Sequence, residues 1–274
     1  MFSTGHLIWI SISVVAIIAG LVVCRIRRPT LEQVLKACLI AGVVSELVKI
    51  FCVTQILPVV TVGITAGESG PMFSYTELGQ YTPYMKMEHL PLEMCSLMIP
   101  FLALALLLRD GVWRRRLLAL MYISGTIGGT MGLLLSYIAT EYHTVAEYFA
   151  APRVWQFFLY HAMVVFLGLH LGFQADCGIS LRSWKSTVAA LIVLDLPTFY
   201  LNSVFSRAVY VAEEPVGIVY RTNFFSSYVN PLGLVLTEKW QWLAYLGVRL
   251  ALASGLIALM LLLTSLSRYP KEKA

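Results

Sequence analysis

Charge is scarce in this sequence. Asp, Glu, Lys and Arg make up 13% of its 274 residues, where a soluble domain carries about 25%. Hydrophobic residues reach 58% and the mean hydropathy is +0.77. These values exclude a water-soluble globular domain, and the chain reads as an integral membrane protein. Cysteine is scarce too. Cys24, Cys38, Cys52, Cys95 and Cys177 are odd in number and contain no CxxC pair, which argues against a disulfide framework. There is no N-x-S/T sequon, which favours a bacterial cell membrane. There is no GxSxG, HExxH, P-loop or GxGxxG, so a serine hydrolase, a zincin or a nucleotide-driven pump has no local support. No motif calls for a cofactor or a metal. Glu141, His143 and Glu147 in TEYHTVAEY come nearest to a ligand set and read as a solvated loop. The net charge of +5 is spread over short loops between apolar runs, so nucleic acid is not an expected partner. No repeat, linker or low-complexity tract divides the chain, which reads as one domain over 1–274.

What the sequence does have is long apolar runs. A spanning helix needs about 20 mainly apolar residues. Seven stretches qualify, at about 6–24, 31–55, 90–108, 117–139, 154–174, 187–205 and 240–266. Basic residues fall in alternate loops: Arg25, Arg27 and Arg28; Arg109, Arg114, Arg115 and Arg116; Arg182 and Lys185; Arg268, Lys271 and Lys273. The positive-inside rule makes those loops cytoplasmic. The expected fold is therefore all-α, a polytopic bundle of seven transmembrane helices with the N-terminus outside and the C-terminus cytoplasmic. The outer segments 56–88 and 206–239 are long and rich in Tyr, Gly, Pro and Glu, and read as functional loops. GTIGGTMG, from Gly125 to Gly132, and GLHLG, from Gly168 to Gly172, predict close helix packing.

Several spans carry polar groups. LPLEMC, Leu90 to Cys95, is expected to open the third span, with Pro91 in the first turn and Glu88 and Glu93 favoured by the helix dipole. That would put Cys95 roughly 8–9 Å inside the outer end, and His161 of the fifth span at roughly 10 Å. A thiol beside a histidine gains thiolate character, and the histidine then serves as general base. Alone, each residue reads as core. Glu46 and Lys49, three apart on the second span, and Asp195 and Arg249, on the sixth and seventh, either pair with one another or hold a polar headgroup. Asn202 lies near the outer end of the sixth span. His170 reads as core and His6 as interfacial.

LPLEMC, YHAMVV and TNFFSSYVNPLG together resemble the YwaF family of multispan proteins, to which transmembrane protein 164 is related. The resemblance covers roughly residues 30–265 and implies a membrane acyltransferase. Carried over by position, it makes Cys95 the nucleophile and His161 the base, and it adds Asn223, with Pro231 downstream. Position 93 is Glu where a neutral polar residue or His would be expected, and Phe224 stands for the usual Tyr.

The combined expectation is a lipid acyltransferase or lipid hydrolase with Cys95 and His161 as the catalytic pair. Glu46, Lys49, Glu93, Asp195, Asn202, Asn223 and Arg249 would bind substrate, with membrane lipids as substrate or ligand and no protein partner indicated. The rival expectation is a transporter or binding protein whose pathway is lined by the Glu, Lys and Arg set, with Cys95 structural.

Overall fold

A computed structural model of the chain describes residues 3–67, 70–86, 89–91, 93–136, 138, 141–174, 177–211, 214–220 and 236–268. Helix α1, Thr4–Arg27, is capped by Ser3, whose hydroxyl accepts the His6 amide. Helix α2, Leu31–Val53, starts with a capping box between Thr30 and Gln33. A hairpin of β1, Gln55–Gly67, and β2, Gly70–Tyr84, follows. Then come α3, Met98–Leu107, and α4, Val112–Ile123. A π-turn, Ser124–Gly128, joins α4 to α5, Gly129–Leu134. Helices α6, Val145–Ala150, and α7, Pro152–Phe173, precede α8, Trp184–Phe205. A second hairpin, β3 Arg207–Val211 and β4 Glu214–Tyr220, leads to α9, Lys239–Arg268.

Five stretches are long and apolar enough to cross a membrane: Thr4–Arg27, Val112–Leu134, Pro152–Phe173, Leu181–Phe205 and Lys239–Ser267. The protein is an integral, multi-pass membrane protein built mainly of helices. Two of the seven expected spans differ. Helix α2 has the length, but Lys36, Glu46 and Lys49 lower its apolar character. Helix α3 has 10 residues, about 15 Å of rise against a hydrocarbon core of about 30 Å.

The late start of α3 corrects the expected helix from Leu90. Pro100 has no N–H to give the Ser96 carbonyl, and its ring would clash there if the helix ran further back. The chain instead tightens. Met98 N bonds Cys95 O at 3.1 Å and Ile99 N bonds Ser96 O at 3.3 Å. Cys95 therefore sits in a turn outside the helix, and its expected depth along a helix axis does not apply. Glu93 likewise precedes α3 by more than a turn and is not in the first turn of a helix. The two hairpins correct the all-α expectation. VVTV and ITA in β1 are rich in β-branched residues, which favour a pleated strand. The pairing runs from Gln55 opposite Tyr84 to Gly67 opposite Gly70, with an irregularity between Pro58 and Val60.

Helix α7 is the hub. It packs against α1, α2, α4, the π-turn, α5 and α6, and thirteen of its 22 residues are buried. Its contact with the α4–α5 segment is antiparallel and in register: Gly172 meets Tyr122, Gly168 meets Gly125, Val165 meets Gly129 and His161 meets Gly132. A Cβ at Gly168 would lie 2.6 Å from Thr126 N, and one at Gly125 would lie 2.8 Å from Val164 O. Neither site has room for a side chain, so both stretches of small residues serve the close packing expected of them. Helix α1 joins the same core through a ring cluster. Trp9 stacks on Phe158 at 5.5 Å and meets Trp155 edge-on at 4.7 Å. His6 is buried here, not interfacial, with Nε2 2.9 Å from Leu133 O. Helices α8 and α9 form a separate antiparallel pair, tied by Trp184 Nε1 donating to Ser254 O at 3.0 Å. That pair reaches α4 through a 2.8 Å bond between the Tyr122 and Thr264 hydroxyls.

This packing makes a steric prediction. Gly168→Ala drives a methyl into the backbone of the π-turn and should destabilise the protein by about 1–3 kcal/mol. Gly128→Ala, whose Cβ would meet nothing within 4 Å, should be neutral or gain up to about 1 kcal/mol. Thermal unfolding in one detergent checks both; equal melting temperatures for the two variants would contradict the register.

Candidate functional site around helix α7

Two neighbouring stripes of α7 carry the polar chemistry. Positions 156 and 160 lie one turn apart on one stripe, and 153, 157 and 161 follow on the next, about 100° around the helix. The first stripe faces α2 and the Cys95 turn. The Tyr160 hydroxyl donates to Cys95 O at 2.6 Å, and Gln156 Nε2 donates to Ser45 Oγ at 2.7 Å. Between α2, α6 and α7 lies a groove of about 720 Å³, mainly apolar, with Ser45, Gln156 and Tyr160 among its lining residues. Tyr160 thus lines the groove and holds the turn that bears Cys95. The Cys95 carbonyl accepts from both Met98 N and Tyr160, which fixes the turn from two directions.

The second stripe faces α5. The Arg153 guanidinium stands 6.0 Å over the Phe157 ring, and Phe157 and His161 rings lie 4.2 Å apart. His161 is buried, with Nδ1 2.8 Å from Phe157 O. A carbonyl can only accept, so this contact places the proton on Nδ1 and leaves Nε2 as the basic nitrogen of a neutral ring. The ring occupies the space that a side chain at 132 would take: a Cβ at Gly132 would lie 2.2 Å from His161 Cδ2. Arg153 also bonds Gln156, which ties the two stripes together.

The α7 residue that meets Cys95 is Tyr160, not His161. No hydrogen bond joins Cys95 and His161 among the described residues; the Tyr160 ring touches His161 edge-on at 5.7 Å and its hydroxyl reaches Cys95. Glu93 lies in the same turn as Cys95, and its carboxylate is within electrostatic reach of the thiol. Glu46 and Lys49 form an ion pair of 2.6 Å on α2, with Lys49 nearly buried. The Glu46 charge reaches Tyr160. Asp195 and Arg249 form the second pair, bridging α8 and α9. The charges expected to share one pocket are thus two internally neutralised pairs on different helices. Asn202 is fully buried on α8, two turns beyond Asp195. Asn223 and Pro231 lie outside the described residues. All five cysteines are free thiols.

His170 is buried and stacked on Phe166 at 5.7 Å. The Glu147 carboxylate accepts the amides of His143 at 2.8 Å and Thr144 at 3.1 Å in a capping box that starts α6. Those two amides hold its pKa below the ordinary value, so the cap is present at neutral pH and is lost as the carboxyl protonates in acid. Sequence reasoning overlooked Ser45, Arg153, Gln156 and Tyr160. The signal for three of them was the spacing of Arg153, Gln156 and Tyr160 ahead of a buried histidine, with Gln156 and Tyr160 facing α2 and Arg153 bonded to Gln156.

The TMEM164 family model matches residues 1–264. The match agrees with the resemblance to transmembrane protein 164 carried by LPLEMC, YHAMVV and TNFFSSYVNPLG; the name YwaF does not enter it. No curated protein and no solved structure gives a significant match.

The Glu46–Lys49 pair yields a cycle. Lys49→Met leaves a carboxylate without its ion partner in an apolar setting and should cost up to about 3 kcal/mol. Adding Glu46→Gln should restore most of that loss. Unfolding temperatures of the two single variants and the double variant in nanodiscs measure it, and additive losses would show that the two charges do not depend on each other.

Proposed function

The chain belongs to the TMEM164 family, and on that premise we propose that it is a membrane-embedded lipid acyltransferase, or a lipid hydrolase when water is the acceptor, working through an acyl-thioester at Cys95. The observation that carries this reading is the placement of Cys95. Its turn is pinned by a phenol that also lines a groove of about 720 Å³ between α2 and α7, within the range of small-molecule sites and so large enough for one acyl chain. Seven crossings with the basic loops in the cytoplasm would set this groove in the outer half of the membrane.

The chemistry has two steps. The Cys95 sulfur attacks the ester carbonyl of a phospholipid. An S–C bond forms, the ester C–O bond breaks, and the thiol proton ends on the departing lysolipid oxygen by way of His161 Nε2. An acceptor hydroxyl or water then attacks the thioester. The S–C bond breaks and the acceptor's proton returns to sulfur through the same histidine. His161 has the required neutral tautomer. Because no hydrogen bond joins it to Cys95 in this state, the step needs the ring to leave its seat on Gly132 or the 93–97 turn to shift toward it.

Incubation of the purified protein with mixed phospholipids, followed by intact-mass analysis, tests the reading. The wild type should carry a hydroxylamine-sensitive acyl adduct that Cys95→Ala lacks. His161→Gln should slow its formation by about 10²–10⁴-fold. A folded Cys95→Ala protein that turns over lipid at the wild-type rate would overturn it. Loss of function on Lys49→Met or Arg249→Met alone, with Cys95→Ala active, would point instead to a transport path along the charges.

A further inference from the structure

The groove between α2 and α7 differs from the other lipid-facing furrows of the bundle. A second furrow runs along α1 past Leu7, Ile12 and Val15, with a volume of about 460 Å³. Its floor is the apolar side of one helix. The α2–α7 groove is built between two antiparallel helices: Gly42 approaches Met163, and one turn on Ser45 bonds Gln156. Its α7 wall runs from Pro152 to Met163, a rise of about 16 Å. Val44 and Leu159 are more than two-fifths exposed, so the groove opens sideways through a helix surface that faces lipid.

Polar groups occupy only one part of it. Ser45 Oγ accepts from Gln156, whose carbonyl oxygen takes Arg153. Among the described residues the Ser45 hydroxyl hydrogen has no acceptor, so it remains free to donate. One turn deeper Tyr160 closes the wall, and the Cys95 turn lies behind it. Arg153, on the first turn of α7, does not line the groove but bonds its lining residue Gln156, and so sets a cation at the rim. The order from mouth to floor is a guanidinium at the rim, a hydrogen-bond donor, a phenol bonded to the Cys95 carbonyl, and then apolar wall. A phospholipid has the same order: phosphodiester, ester and acyl chain.

We propose that this groove is the acyl-chain subsite of the donor phospholipid. The phosphodiester lies toward Arg153, the ester beside Ser45 and Gln156, and the chain runs past Leu159 toward Met163. The inference rests on the acyl-transfer reading and adds to it where the chain lies and which residues limit its length. Tyr160 stands between the groove and the Cys95 turn, one turn below the ester, so the ester or that turn must move past its ring before the thiol can attack.

The test uses the full-length protein in nanodiscs of dioleoylphosphatidylcholine doped with a phosphatidylcholine that carries a diazirine on its second acyl chain. After illumination, labelled peptides are mapped. Label should concentrate between Ala41 and Val48 and between Gln156 and Met163, and should be lost in Ala41→Trp, which fills the floor. Leu159→Trp fills the groove from the opposite wall and serves if the first variant does not elute as a folded protein. Cys95→Ser should keep the label. Labelling no stronger than along the α1 furrow, or unchanged by both tryptophans, would overturn the subsite. Groove labelling in a wild type that never forms the Cys95 thioester would support the subsite and overturn the transfer reading.

Discussion

Two glycines meet backbone to backbone at the centre of the α7 contact. Gly125 in the π-turn and Gly168 in α7 leave no space for a Cβ on either side, and the register of every other contact along α7 follows from that seat. Within lipid there is no hydrophobic drive to bring helices together, so van der Waals fit and interhelical hydrogen bonds must do it. A fit this tight allows few alternatives. Moving α7 one turn toward its C-terminal end, about 5.4 Å, would push Val164 or Val165 into the backbone of Gly125. The π-turn has a place in the same constraint. Its wider ring accommodates SGTIG where two helices touch, and such turns occur at functional sites.

From that register the two polar stripes follow. With α7 seated on Gly125, His161 falls against Gly132, where the missing side chain leaves room for the imidazole. Tyr160, one residue back, then points about 100° round the helix, toward α2 and the α3 turn. Its hydroxyl finds the Cys95 carbonyl there. A lone hydrogen bond of this kind contributes about 0.5–1.5 kcal/mol, too little to hold the bundle but enough to choose one position for a short turn. Pro100 favours that turn, because it cannot donate to the Ser96 carbonyl if α3 extends back through Cys95. The thiol therefore sits on a segment whose position is set by a side chain of another helix, which is an arrangement suited to adjustment during a reaction.

Much of this was legible in the sequence. Five of the expected spans carry the helices of spanning length, because long apolar runs have few other ways to satisfy their backbone. The small-residue stretches announced the tight contact, since close approach needs glycine. Glu46 and Lys49 announced their pairing through i,i+3 spacing, and Asp195 found Arg249 across a helix pair. Other features were hidden for identifiable reasons. LPLEMC looks like a helix start because Pro91 and Glu93 suit a first turn, whereas the deciding residue is Pro100, nine positions on. The hairpins lie in segments whose Gly and Pro content reads as loop. Their strands pair residues from 3 to 29 positions apart, and no local pattern encodes the longer pairings. Tyr160 was hidden beside the histidine. A tyrosine in an apolar run reads as core or interface, and only the fold shows that its hydroxyl lands on Cys95.

The measurement that tests the account most directly is the rate at which Cys95 acquires an acyl group from phosphatidylcholine in nanodiscs, wild type against Tyr160→Phe. Phenylalanine keeps the ring in the groove and removes only the bond to the Cys95 carbonyl. If Tyr160 positions the thiol, acylation should slow by about 10–100-fold, with the concentration of lipid at half-saturation unchanged and the melting temperature nearly so. Acylation at the wild-type rate in the Tyr160→Phe protein would contradict the claim that α7 holds Cys95 in its reactive place.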